Sequence, residues 1–114
     1  MASVFVSNIG LYSGTDFAQT FVLEDSQSNT LMDLTGYTGC AELKKYESSS
    51  KVAAFNFSTA SDATTGRVQI AMTAAVTETL SAGRYLYDIL ITDPQGKTTR
   101  VVEGSAVVKR PVTR

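Results

Sequence analysis

The 114-residue chain carries ten basic and eleven acidic residues, a net charge of −1, and neither histidine nor tryptophan. That balance excludes the basic stripe on which nucleic-acid affinity rests. No apolar run approaches the roughly 20 residues of a membrane-spanning helix. The length suffices for one domain, residues 1–114, with a single core. No leader pattern opens the chain, so no signal peptide is expected.

Residues 2–9, ASVFVSNI, are β-rich and predict a first strand, or an arm that pairs with another chain. Gly10 to Gly14 reads as a turn. Thr15 to Asp25 is the next strand, with Phe17, Phe21 and Leu23 on one face. Ser26-Gln27-Ser28-Asn29 continues a polar turn from Asp25, and the chain resumes at Leu31-Met32-Asp33-Leu34. After Thr35-Gly36-Tyr37 a strand spans Thr38–Tyr46, with Ala41 and Leu43 inward. Glu47-Ser48-Ser49-Ser50 forms a loop, and Lys51 to Ser58 alternates again, placing Ala53, Phe55 and Phe57 together.

Ser61 to Gly66 is a further turn, and Arg67–Thr73 buries Val68, Ile70 and Met72. Ala74 to Leu80 is the one segment without an extended pattern. Thr73 is placed to cap a single helical turn there, with Val76 and Leu80 on its inner face, bridging two sheets.

The richest stretch is Thr79–Val108. Gly83-x-Tyr85 opens a strand in which Tyr85, Tyr87, Ile89 and Ile91 share one face. A tyrosine at the start of a late sandwich strand can turn its hydroxyl back to the preceding corner. Asp93-Pro94-Gln95-Gly96 supplies a tight turn, with proline presetting φ and glycine accepting a positive one. The return strand is expected to break once at Gly104, and Pro111 to release a tail over 110–114. Seven or so short strands, regular turns and one helical turn predict an all-β, antiparallel immunoglobulin-like sandwich.

Chemistry-bearing groupings are sparse. Glu24 and Asp25 point to opposite faces. Asp93 belongs to its turn, and Asp88 is placed to pair with Arg84 or Arg100 across the hairpin. Cys40 has neither a disulfide partner nor a histidine to activate it, so it is expected as a small buried residue; a reducing compartment fits a lone thiol. No zinc set, Walker loop or serine elbow is present, and Asp62 stands too isolated for a calcium loop. No metal, no cofactor and no enzymatic activity are therefore expected. Tyr12, Tyr37 and Tyr46 are candidates for stacking on sugars if exposed, although in a sandwich such tyrosines are more often rim or core residues. Exposed edges and extended termini remain as means of assembly.

Asp33-Leu34-Thr35-Gly36-Tyr37, then Leu80-Ser81-Ala82-Gly83-Arg84-Tyr85-Leu86-Tyr87-Asp88, then Asp93-Pro94-Gln95-Gly96, Arg100 and Gly104, resemble an Ig-like module of tailed-bacteriophage structural proteins. In that family a DLTGYT segment precedes a LxAGxYxYDL…GxxxRxxxGxxxVxP hairpin. The likeness spans about residues 17–113, and departs from the family where Cys40 and Glu42 replace frequent basic residues. It implies a virion protein assembled in the host cytoplasm, with other capsid or tail proteins or further copies of itself as partners; the charge balance and short apolar runs already speak against nucleic acid and membrane. A free-standing module suits a capsid decoration or cement subunit; the alternative is a baseplate or tail adaptor that docks a fibre or recognises a host glycan. Gly36, Tyr37, Gly83, Tyr85, Tyr87, Gly96 and Gly104 are expected to determine the fold. Partner contacts are expected at the two ends, through Val4, Phe5 and Val6 and through Arg110, Val112 and Arg114.

Overall fold

A computed structural model describes residues 5–25, 30–45, 51–59, 61 and 63–110. The sequence readings at Val4, Tyr46, Asp62, Pro111, Val112 and Arg114, and in the loops 26–29 and 47–50, lie outside the described residues.

The strands follow the alternation of apolar residues. They are β1 (Phe5–Val6), β2 (Ile9–Tyr12), β3 (Phe17–Val22), β4 (Glu24–Asp25), β5 (Thr30–Leu31), β6 (Thr38–Lys44), β7 (Lys51–Thr59) and β8 (Arg67–Met72). A short helix, α1 (Ala74–Thr77), leads to the long hairpin of β9 (Gly83–Thr92) and β10 (Thr98–Lys109). Hydrogen bonding runs in the order β1-β10-β9-β6-β7-β8-β3, β2 also pairs with β10, and β4 with β5 forms a separate small hairpin.

β7 carries the path from one layer to the other. Its first half pairs with β6, as in Ala41↔Phe55, and its second half pairs with β8, from Asn56↔Ala71 to Thr59↔Val68. The inward rows meet between the layers. Tyr85, Tyr87, Ile89 and Ile91 of β9, Ala41 and Leu43 of β6, and Val68, Ile70 and Met72 of β8 are all buried. Phe55 contacts Phe17 and Tyr87 at ring-centroid distances of 5.8 and 6.3 Å, linking the two layers through tilted and edge-on aromatic pairs. The result is an all-β, mostly antiparallel Ig-like sandwich that closes nearly into a barrel. β1 and β2 depart from the antiparallel rule, running parallel to β10.

Several local expectations need correction. Gly10 lies within β2 rather than in a turn, because Ile9 and Leu11 on either side of it point into the core; the turn begins at Ser13. β10 does not break at Gly104. Its irregularity falls between Arg100 and Val102, so Val101 and Val102 are both buried, the mark of an extra residue inserted into one strand. The Thr38–Tyr46 strand ends at Lys44.

Thr73 occupies the N-cap of α1 without a side-chain bond. Asp16 Oδ1 supplies that cap instead, accepting from the Ala74 N–H at 2.7 Å. Val76 faces outward, and Thr77 turns inward with its hydroxyl donating to the Thr15 carbonyl at 2.7 Å and accepting from the Gly14 N–H at 3.1 Å. A 3-10 turn at Ala63–Thr65 adds a helical element that alternation does not signal. Cys40 is exposed, not buried, because it lies on the outward row of β6 between inward-facing neighbours.

Candidate interaction surfaces

The turn between β9 and β10 is rigid by construction. Asp93 Oδ1 accepts from the Gln95 and Lys97 N–H groups at 3.0 and 2.8 Å, and the Gly96 N–H donates to the Asp93 carbonyl at 2.9 Å. Gly96 adopts φ +92°, which L-residues disfavour. At the other end of β9, the Tyr85 hydroxyl donates to the Ser81 carbonyl at 2.7 Å, tying the strand to the corner before it. Lys45 Nζ lies 4.8 Å from the Tyr85 ring centroid. Gly83 opens the strand. Gly36 completes the turn in which the Tyr37 N–H donates to the Leu34 carbonyl at 3.0 Å, and Tyr37 packs half-buried against the core. Asp33 Oδ1 accepts from the Thr35 hydroxyl and N–H at 2.6 and 3.0 Å, and the hydroxyl bond, then the N–H bond, holds this exposed carboxyl below its ordinary pKa.

The N-terminal strands are zipped onto β10. Phe5 and Val6 pair with Val102 and Glu103, and Ile9 to Tyr12 pair with Ala106 to Lys109. Between these two runs the chain crosses over Gly104, where a Cβ would meet the Ser7 carbonyl. That close approach, and not a break in the strand, is what requires glycine there. The Tyr87 hydroxyl donates to the same carbonyl at 2.6 Å. Asn8 Oδ1 accepts from the Ser105 N–H at 3.1 Å, standing in for a ladder carbonyl. Burial raises the Tyr87 pKa above the ordinary tyrosine value. Of the expected contact residues, Val6 is 77% exposed and Arg110 is exposed just beyond β10.

The outward face of β6, β9 and β10 carries a shallow groove of about 490 Å³ beside this zipper. Strand register places Val6, Glu103, Asp88 and Glu42 in one cross-strand row, and Ser105, Leu86 and Lys44 in the next. Like charges directly opposite each other repel. Arg100 moderates that, its Nε lying 3.3 Å from Asp88 Oδ2. The pair is solvent-accessible and contributes little to stability. Among the described residues no group of three His, Cys, Asp or Glu side chains is arranged to hold a metal ion, the carboxylate row included. What the row offers is a polar, mixed-charge face with Leu86 near its centre and Val6 at its rim. Alternation places Glu42 and Asp88 on outward faces, but their alignment with Glu103 needs the pairing register, which the sequence alone does not supply.

No protein-family model matches the chain, and no curated protein does. Among solved structures the chain is similar to the SrpA adhesin of Streptococcus sanguinis, with a TM-score of 0.51 and 16% identity over 96% of this chain and 57% of that one. It is also similar to a family 123 glycoside hydrolase from Clostridium perfringens, with a TM-score of 0.46 and 13% identity over 96% of this chain and 24% of that one. The chain thus spans less than two thirds of either protein. At such identities the adhesin likeness speaks for the fold alone, and the weaker one carries no argument.

Proposed function

We propose that the chain is a non-enzymatic structural subunit of a tailed-phage virion, a small Ig-like protein-binding module that decorates the capsid. The observation that carries the proposal is the mixed-charge face of Glu42, Asp88, Glu103, Lys44 and Arg100, with Leu86 within it and the exposed Val6 at its edge. A rigid sheet bearing such a face suits docking on another structural protein. The virion part of the reading rests on the resemblance of the Leu80–Asp88 and Asp93–Gly104 segments to phage modules. In this account the protein uses no cofactor and contacts neither nucleic acid nor membrane. Cryo-electron microscopy of the parent particle tests it: density for the sandwich on the capsid, with the groove face against a neighbour, is expected. Density at the tail alone would overturn the capsid placement.

A second reading, a baseplate or tail adaptor that docks a fibre or recognises a host glycan, is favoured by Tyr12, which is 51% exposed at the end of β2. Glycan-array binding lost in Tyr12→Ala supports this reading, and no binding at millimolar sugar removes it.

A further inference from the structure

β3 ends the hydrogen-bonded path, and among the described residues it pairs only with β8. Natural edge strands are blunted by charge, proline, bulges or brevity. β3 has none of these: Phe17-Ala18-Gln19-Thr20-Phe21-Val22 holds no charge or proline, and its pairing runs unshifted from Phe17↔Met72 to Val22↔Arg67. Six such residues make a strong template for added strands.

Two further observations define what the edge presents. The Leu23 N–H donates to the Gly66 carbonyl at 2.7 Å, continuing the β3–β8 register by one residue. Hydrogen-bonded and non-bonded positions alternate in an antiparallel pair, so Phe17, Gln19 and Phe21 bond toward β8. The N–H and C=O groups of Ala18, Thr20 and Val22 therefore point to the free edge. In addition, the core layer stops short at β3. Ile70 and Met72 opposite it are 0% and 2% exposed, whereas Phe17 and Phe21 are half-buried and Gln19 between them is exposed.

We propose that β3 pairs antiparallel with β3 of a second copy, about a twofold axis at Gln19. The segment Phe17-Ala18-Gln19-Thr20-Phe21 is nearly palindromic in size and polarity. In this register Phe17 faces the second copy's Phe21, Ala18 faces its Thr20, and the two Gln19 amides meet. Core-facing residues stay core-facing on both sides, as strand pairing requires, and the outward-directed groups of Ala18 and Thr20 satisfy one another. Charge does not oppose pairing at this edge, since the β3 segment holds no charged residue to set against its own copy. A single strand per copy gives a contact below the roughly 1,000 Å² of a durable interface, so the dimer is weak and concentration-dependent. The pairing is independent of the virion reading.

Sedimentation velocity over roughly 10 µM to 1 mM tests it, with a monomer–dimer equilibrium expected in that range. Thr20→Pro removes an edge-directed N–H and no bond to β8, so it should weaken dimerisation about tenfold or more with an unchanged circular dichroism spectrum. Two double variants guard against a simple folding defect. Ala18→Lys with Thr20→Lys, and Ala18→Glu with Thr20→Glu, should each be monomeric alone and should form a heterodimer when mixed, since positions 18 and 20 face each other. A monomer at every concentration, a dimer indifferent to these changes, failure of the mixed pair, or pairing only with a foreign strand would overturn the proposal.

Discussion

The Tyr87 hydroxyl donates a 2.6 Å hydrogen bond to the carbonyl of Ser7, eighty positions earlier in the chain. Beside it, Gly104 leaves room for that same carbonyl. Together they fix where β1 ends and β2 begins, and so set one wall of the outer groove. Replacing Gly104 with Ala forces the Ser7 backbone away and is expected to cost about 1–3 kcal/mol in urea unfolding. Tyr87→Phe keeps the ring in the core and leaves the carbonyl without its donor, an expected loss of about 1 kcal/mol. If Gly104→Ala were neutral, the close approach would not hold in solution.

The same tyrosine gives a pH signature. Burial raises its folded-state pKa above the ordinary tyrosine value. A raised pKa means that the folded state holds the proton more tightly, so this contribution to stability is complete below the unfolded pKa and is lost as pH rises through the folded one. Ultraviolet titration should therefore show a phenol ionising above the ordinary tyrosine pKa, absent in Tyr87→Phe. The alkaline loss of stability beyond about pH 10 should also be smaller in that variant.

Among the described residues Thr77 is the fully buried polar one, at 0% exposure. Its hydroxyl serves the Thr15 carbonyl and the Gly14 N–H, tying α1 to the turn between β2 and β3. Thr77→Val preserves shape and leaves both backbone groups unpaired, so an expected cost of about 2–3 kcal/mol should appear in chemical denaturation. Thr77→Ser keeps the hydroxyl and should retain most of the stability.

Cys40 provides a labelling test of the β6 orientation. It is an exposed thiol on the outward row, between inward-facing positions. A maleimide should modify it in the native protein without unfolding, as read by mass spectrometry and circular dichroism. Protection until denaturant is added would mean that this face of β6 is covered.

Alternation made most of the fold legible. Tyr85 to Ile91, Val68 to Met72, and Ala41 with Leu43 face inward as their spacing dictates, and the Asp93–Gly96 turn follows from its residue types. Gly10 and Gly104 misled because glycine signals a turn or break as readily as a close backbone approach, and only the position of Ser7 distinguishes these at 104. Cys40 misled because composition favours burial of cysteine, while its place in the alternation put it outside. The helical turn was visible as a lapse in the extended pattern. Its inward residue was not, since a single turn gives too little periodicity to choose Thr77 over Val76. The carboxylate row of the groove depends on register between strands distant in sequence, which no local pattern encodes.

Mass spectrometry of heads and tails separated from purified parent particles bears most directly on the proposed role. The account predicts peptides of this chain in the head fraction, in an amount comparable to a decorating subunit. Their absence from purified particles, with the protein found only in the surrounding lysate, would contradict it.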